Sequence, residues 1–201
     1  MRKMLFALAG VAGLVLAASP AQARFSPYMA SLTLGTGYSD FYHTAIRDNT
    51  SGSLAYDARL LIGTRTPLAF EAAYQGTAGF AMDEGGVNSV HDAKIASNAV
   101  TGNARVNLST WRVQPFILGG VGYVNFHSYG RDNSPIAAAN FAHSADGLIV
   151  PMGGGLSTYL GKHGVLDLRG TYNLITGARD FTATGLRPDM WSAELRGGYA
   201  F

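Results

Sequence analysis

The feature that most constrains this chain is a period-two alternation that recurs eight times and keeps nearly all of its charge on one phase. In Met190–Phe201 the odd positions are Trp191, Ala193, Leu195, Gly197, Tyr199 and Phe201, and the even positions include Ser192, Glu194 and Arg196. Gly164–Thr176 sets Leu166, Leu168, Tyr172 and Leu174 against Asp167, Arg169, Thr171 and Asn173. The same reading holds for Tyr28–Tyr38, Ser53–Ile62, Thr66–Gln75 and Val100–Ser109. Trp111–Phe126 and Leu148–Leu160 are less regular, and Pro115, Ile117, Val121 and Tyr123 are assigned to the apolar face of the former. Successive side chains of a strand point to opposite faces, so each segment reads as a strand with one apolar and one polar face.

Composition narrows the class. Charged residues make up only 14% of the 201 residues, against roughly 25% in an ordinary soluble domain. Glycine occurs 26 times and cysteine not at all, with a formal net charge of +2. Without cysteine there is no disulfide framework and no thiol chemistry. Without a basic block, nucleic acid is a poor partner. The start of the chain has the form of an export signal. Arg2 and Lys3 precede an apolar run, Met4–Ala18, and Ala21-Gln22-Ala23 forms a small-x-small cleavage site. That run is shorter than the ~20 residues a spanning helix needs. Residues 1–23 are therefore expected to be a signal peptide and residues 24–201 a single barrel domain.

The connections alternate in length. Long ones fall at Ser39–Gly52, Gly76–Ala99, His127–Gly147 and Gly177–Asp189, and short ones near Gly63–Thr66, Ser109-Thr110 and Gly161–His163. This is the pattern of an up-and-down antiparallel barrel whose short turns share one end with both termini. Polarity selects the solvent. The charged face holds only Asp57, Arg59, Glu71, Arg105, Asp167, Arg169, Glu194 and Arg196, too few for an exterior that meets water. The aromatic-rich face suits lipid, and in lipid only a closed barrel lets strands satisfy every backbone polar group. The expected fold is all-β: an eight-stranded antiparallel up-and-down transmembrane β-barrel.

An eight-stranded lumen is just wide enough for side chains to fill it. Four arginines facing four carboxylates predict a paired network that plugs it, with Gly35, Gly37, Gly120, Gly122, Gly153 and Gly155 making room. Tyr28, Tyr38, Tyr74, Trp111, Tyr172 and Trp191 are expected to form the interfacial belts, with Tyr199 and Phe201 at the other end of the last strand.

The run Val113-Gln114-Pro115-Phe116-Ile117-Leu118-Gly119-Gly120-Val121-Gly122-Tyr123, the Ala21-Gln22-Ala23 site and the ending Tyr199-Ala200-Phe201 together resemble the small eight-stranded outer-membrane barrels of the OmpA/OmpX type. The resemblance covers residues 24–201. It implies export through the periplasm and integration into the bacterial outer membrane. It also implies recognition of the terminal Tyr199 and Phe201 by the barrel-assembly machinery, and outer-membrane lipid and lipopolysaccharide as surroundings. It implies no single biochemical activity.

Three functions remain open: a non-enzymatic structural or surface-interaction barrel, a small pore, and a lipid-modifying enzyme. The first would use outer-loop aromatics, Phe41, Tyr42, Phe80, Tyr129, Phe141 and Phe181, toward an extracellular partner. The third would need a His–Ser pair, for which His127-Ser128 and His143-Ser144 are the nearest candidates. His43, His91, His127 and His143 fall in expected loops and His163 in a tight turn, so no metal site, catalytic group or cofactor is expected. Asp83-Glu84 and Asp132-Asn133 lack the ligand spacing of a calcium loop.

Overall fold

The computed structural model describes residues 30–47, 50–81, 94–129, 144–178 and 186–201. The expected signal peptide lies outside the described residues. So do Tyr28, His91, His143, Phe141, Phe181, the Asp83-Glu84 pair and the Asp132-Asn133 pair.

Eight strands close into a barrel in sequence order. They are β1 (Ala30–Phe41), β2 (Ser53–Ile62), β3 (Leu68–Ala81), β4 (Lys94–Asn107), β5 (Val113–Tyr129), β6 (Ser144–Leu160), β7 (Gly164–Thr176) and β8 (Met190–Ala200), with one helical turn, α1 (Thr44–Arg47), after β1. Every neighbouring pair is antiparallel, and β1 returns to β8 from Ser31↔Ala200 to Phe41↔Met190. The last residue finishes the closure: Phe201 N–H donates to the Ala30 carbonyl at 2.9 Å. Closure removes the open edges that a flat sheet would expose.

Two of the three short turns carry a glycine in a left-handed conformation, Gly63 at φ 87° and Gly161 at φ 62°, which side chains with a Cβ adopt at a cost. They stand at the same end as Ala30 and Phe201. The phase of the alternation is kept throughout. In β8, Ser192, Glu194 and Arg196 are buried while Ala193, Leu195 and Tyr199 are exposed. In β5, Ile117, Val121 and Tyr123 face outward and Phe116, Leu118 and Val124 inward, with Pro115 half-buried on the outer side.

The strands differ from the sequence expectation mainly at the loop end. β2 and β7 match. β3 runs on from Gln75 to Ala81, β4 starts at Lys94 instead of Val100, β5 continues to Tyr129, β6 starts at Ser144 instead of Leu148, and β1 reaches Phe41. Several loop assignments change with this, and Phe80 and Tyr129 lie in β3 and β5. His127 was expected in a loop and instead lies in β5. Phe41 was expected as an exposed loop aromatic and is fully buried, because β1 carries it inward past the expected strand end.

Candidate functional site

The eight charged residues expected on one face all point into the lumen, and each is at most 5% exposed. Their strands set them at similar heights. β7 and β8 pair Asp167 with Arg196 and Arg169 with Glu194, and β2 brings Arg59 toward Glu71 on β3. Arg59 donates through Nε to Asp57 at 2.7 Å and through Nη1 to Glu71 at 2.9 Å, and its Nη2 lies 3.4 Å from Glu194. Arg169 clamps Glu71 with two bonds of 2.7 and 2.6 Å. Arg196 reaches three carboxylates: Asp57 at 2.9 Å, Asp167 at 2.9 Å and Glu194 at 3.0 Å. Arg105 donates to Asp167 at 3.2 Å, to Ser157 at 2.7 Å and to Asn107 at 2.7 Å. The result is one connected layer across the lumen in which every carboxylate meets at least two arginines. Charges taken from water are tolerated only when paired in this way.

Two features let such long side chains fit. A Cβ on Gly35 would strike Arg196 Cγ and lie 2.5 Å from Asp57 Oδ1, so only a glycine leaves the guanidinium its path. Phe116, whose role the sequence did not indicate, turns its ring inward under Arg105, whose guanidinium carbon sits 3.6 Å from the ring centre. That is a cation–π contact within a desolvated site. Arg169 approaches the same ring at 5.1 Å.

On the loop side of the charged layer the lumen turns first to hydroxyls and amides, among them Ser39, Thr77, Ser97, Asn173 and Ser192. It then becomes apolar. Phe41, Ile95, Phe126, Ile149, Ile175 and Met190 form a buried cluster, with Ile46 of α1 packed against it. Between these layers lies a cavity of about 20 Å³, and another of about 10 Å³ adjoins the arginines on the turn side. Such volumes hold about one water each.

The exterior is a girdle of exposed apolar side chains: Leu34 is 65%, Val100 61% and Phe70 60% exposed. Contiguous apolar surface of this extent is untenable in water and marks a membrane-facing wall. Aromatics gather at both ends of it. Toward the loops stand Tyr38 against Trp191 (centroids 5.5 Å) and Tyr56 near Tyr74 (6.4 Å), with Tyr172 paired to Trp191 across β7 and β8. Tyr56, which the sequence reading left out of the belts, donates to Asn98 Oδ1 at 2.8 Å, and Tyr74 donates to the same oxygen at 2.7 Å. The Tyr56 ring also lies over Gly76, where a Cβ would sit 2.6 Å from it. Toward the turns stand Trp111, 57% exposed, and Phe201, 58% exposed, with Tyr199 stacked on His163 at 4.7 Å. From Trp191 to Tyr199 the strand covers about 26 Å, or about 20 Å along the axis at the usual tilt, close to a barrel's ~25 Å apolar band.

A further cluster at the loop end had no signal in the sequence beyond ordinary loop charges. Asp189, 2% exposed, accepts from Ile175 N–H at 2.8 Å and from the Tyr172 hydroxyl at 3.1 Å. Its backbone carbonyl accepts from Tyr42 N–H at 2.8 Å. His43 Nε2 and Arg187 Nε each stand 4.0 Å from its carboxylate. One buried carboxylate thus ties the ends of β1 and β7 to the entry of β8.

The other described histidines, His127 and His163, are not brought together. His127 is exposed while its neighbour Ser128 is buried, so the strand sends the two side chains to opposite faces. His163 is spent on the Ala200 carbonyl at 2.8 Å through Nδ1. Among the described residues no three His, Asp or Glu side chains group as metal ligands.

No family model and no curated protein matches the sequence. Solved structures do match. Neisserial surface protein A is similar at 12% identity and a TM-score of 0.59, over 88% of this chain and 99% of that one. The N-terminal β-barrel domain of Pseudomonas aeruginosa OprF is similar at 12% identity and a TM-score of 0.55, over 88% and 100%. Ail, the attachment invasion locus protein of Yersinia pestis, is similar at 16% identity and a TM-score of 0.54, over 88% and 100%. With a closed barrel, a charged lumen and a lipid-facing girdle already in view, these matches place the chain in the fold of the small eight-stranded outer-membrane barrels.

Proposed function

We propose that this protein is a non-enzymatic integral barrel of the bacterial outer membrane, closed to solutes, that acts structurally or through its outer surface. The observation that carries this reading is the layer of eight paired charges. It spans a lumen whose neighbouring cavities measure about 20 and 10 Å³, and the apolar cluster beneath α1 adds a second barrier toward the loops. Each fully buried side chain of that cluster contributes about 1.5–3 kcal/mol, so the loop end is held shut by packing as well as by charge. The outer girdle supports a location in lipid, and Tyr199 and Phe201 on the last strand are the residues proposed for recognition by the assembly machinery. The lipid-modifying alternative loses its His127–Ser128 pair to the alternation of β5. An extracellular partner would meet the loop end, where Tyr42 is 60% exposed.

The test is conductance of the refolded chain in a planar bilayer, with folding verified by gel mobility before and after boiling. Silence from the folded barrel is expected. Steady openings that change on Arg105→Ala would overturn the closed reading and make the charged layer the filter of a small pore.

A further inference from the structure

The charge of the chain is sorted along the barrel axis. Of its 13 Asp and Glu residues, four lie in the paired layer, and the other nine fall at the loop ends of strands or in the long connections. No acidic residue occurs in the three short turns or in residues 1–29. The turns carry bases instead: Arg65 between β2 and β3, Arg112 between β4 and β5, and Lys162 between β6 and β7. Even with a terminal carboxylate at Phe201, this end keeps a positive charge.

One residue gathers the three turns. Tyr159 belongs to the lumen and is 3% exposed. Its hydroxyl donates to the Thr64 carbonyl at 2.8 Å and fixes the first turn. Its backbone N–H donates to the Arg112 carbonyl at 2.9 Å and fixes the second. The third turn, with Lys162, follows it directly in the chain. The guanidinium carbon of Arg65 lies over the Tyr159 ring, 4.8 Å from its centre, a cation–π contact. Arg112 and Lys162 are exposed, and Arg65 is half-buried.

Bases of one sign on short, tied turns keep their spacing, so less conformational freedom is lost when an anion binds them. Basic clusters of this kind recognise acidic segments, and a field of one sign draws such partners in from solution. The place of Arg65 selects among anions. Lipid headgroups meet the barrel from outside the ring of strands, whereas Arg65 stands over a side chain of the lumen. A ligand that reaches Arg65 together with Arg112 and Lys162 approaches along the axis, from the water at this end. In the membrane reading above, the short turns face the periplasm.

We propose that Arg65, Arg112 and Lys162, assembled round Tyr159, form a docking face for an acidic peptide segment of a periplasmic protein. The proposal rests on the membrane reading and adds a partner at the end opposite the long loops.

The test uses the full refolded chain in phosphatidylcholine nanodiscs, where both ends are open to solution. The probes are rhodamine-labelled hexaglutamate and hexaglutamine peptides, read by fluorescence anisotropy. Hexaglutamate is expected to bind, more weakly as salt is raised, and hexaglutamine is not. An exposed ion pair contributes a factor of up to about five, so Arg112→Gln/Lys162→Gln is expected to raise the Kd about tenfold. Both side chains stand outside the charged layer, and gel mobility confirms that each variant is folded. Lys94→Gln, at the loop end, is expected to bind as the parent does. Equal binding of the two peptides, an unchanged Kd in the double variant, or an equal loss in Lys94→Gln would overturn the proposal. Quenching separates peptide from lipid. In a Trp191→Phe background, Trp111 is quenched with brominated phosphatidylglycerol or brominated phosphatidylcholine. A preference for the anionic lipid that the double variant loses, in a barrel that ignores hexaglutamate, would reassign the bases to lipid and also overturn the proposal. Insertion into phosphatidylcholine vesicles is scored separately. A chain that does not insert refutes the membrane reading itself, whereas one that inserts but ignores hexaglutamate refutes only this face.

Discussion

Arg196 is the sharpest place to test the charged layer. It contacts Asp57, Asp167 and Glu194 at 2.9–3.0 Å and is 1% exposed. Arg196→Met keeps much of the volume and removes only the charge and its donors. The three carboxylates are not stripped bare, since Asp57 and Glu194 keep Arg59 and Asp167 keeps Arg105. The layer nevertheless passes from four-against-four to three-against-four, leaving one surplus negative charge in a site without bulk water. Breaking one side of a buried pair costs about 3–5 kcal/mol. With an urea slope of about 2 kcal/mol per molar, the midpoint falls by about 1.5–2.5 M. The assay is urea unfolding of the barrel in vesicles, read by tryptophan fluorescence and by gel mobility. Adding Asp57→Asn restores charge balance, so the double variant is expected to be more stable than Arg196→Met alone. The coupling should be of the order of 0.5–3 kcal/mol expected for residues in one network. An unchanged midpoint in Arg196→Met, or a double variant weaker than the sum of both singles, would refute the claim that charge pairing holds the lumen.

Two further outcomes follow from the same geometry. Gly35→Ala places a Cβ into the path of Arg196 and is expected to cost about 1–3 kcal/mol as overpacking, read as a lower urea midpoint, whereas Gly102→Ala, whose Cβ would meet nothing within 4 Å, should not. Asp189→Ala releases the Ile175 and Tyr172 donors and the neighbouring His43 and Arg187. It is expected to speed protease cleavage at the loop end while leaving the barrel resistant, and equal cleavage rates would show that Asp189 does not clasp these segments.

Much of the architecture was legible because one phase of the alternation meets lipid and the other meets the lumen. A charge has only one affordable place in such a wall, so eight scattered residues from Asp57 to Arg196 could be assigned to a common interior before any contact was known. What the pattern does not encode is which arginine meets which carboxylate. That depends on strand register, and on a phenyl ring, Phe116, whose neighbours in sequence are apolar on both faces. Asp189 was invisible for a related reason. Its partners belong to other segments: the β7–β8 pairing brings Ile175 and Tyr172 near, and closure of β1 onto β8 brings Tyr42.

The late starts read for β4 and β6 have one physical cause, and it marks the upper edge of the apolar girdle. Above the girdle the alternation persists but its sense inverts. In β4, Lys94 and Asn98 face outward while Ile95 and Ala99 face inward. Two residues later Val100 faces outward and Thr101 inward. β5 inverts between Tyr123 and Asn125, and β6 between Leu148 and Asp146. These positions are register neighbours: Asn98 pairs with Asn125 and Asn125 with Asp146, while Val100 pairs with Tyr123 and Tyr123 with Leu148. One row of the sheet is therefore polar outside, fastened by the 2.7 Å bond from Asn125 to Asp146, and the next row is apolar outside. A reading that seeks apolar-outward strands must stop at this row, as it did at Val100 and Leu148. Beyond it the exterior meets water and the interior, Ile95 with Phe126 and Ile149, becomes an ordinary hydrophobic core. The hydroxyls of Tyr56 and Tyr74 converge on Asn98 at the same boundary, where a ring needs lipid below and a hydrogen bond above. The barrel is thus two proteins in one wall: a membrane protein with a polar lumen up to this row, and a water-facing barrel with an apolar core beyond it.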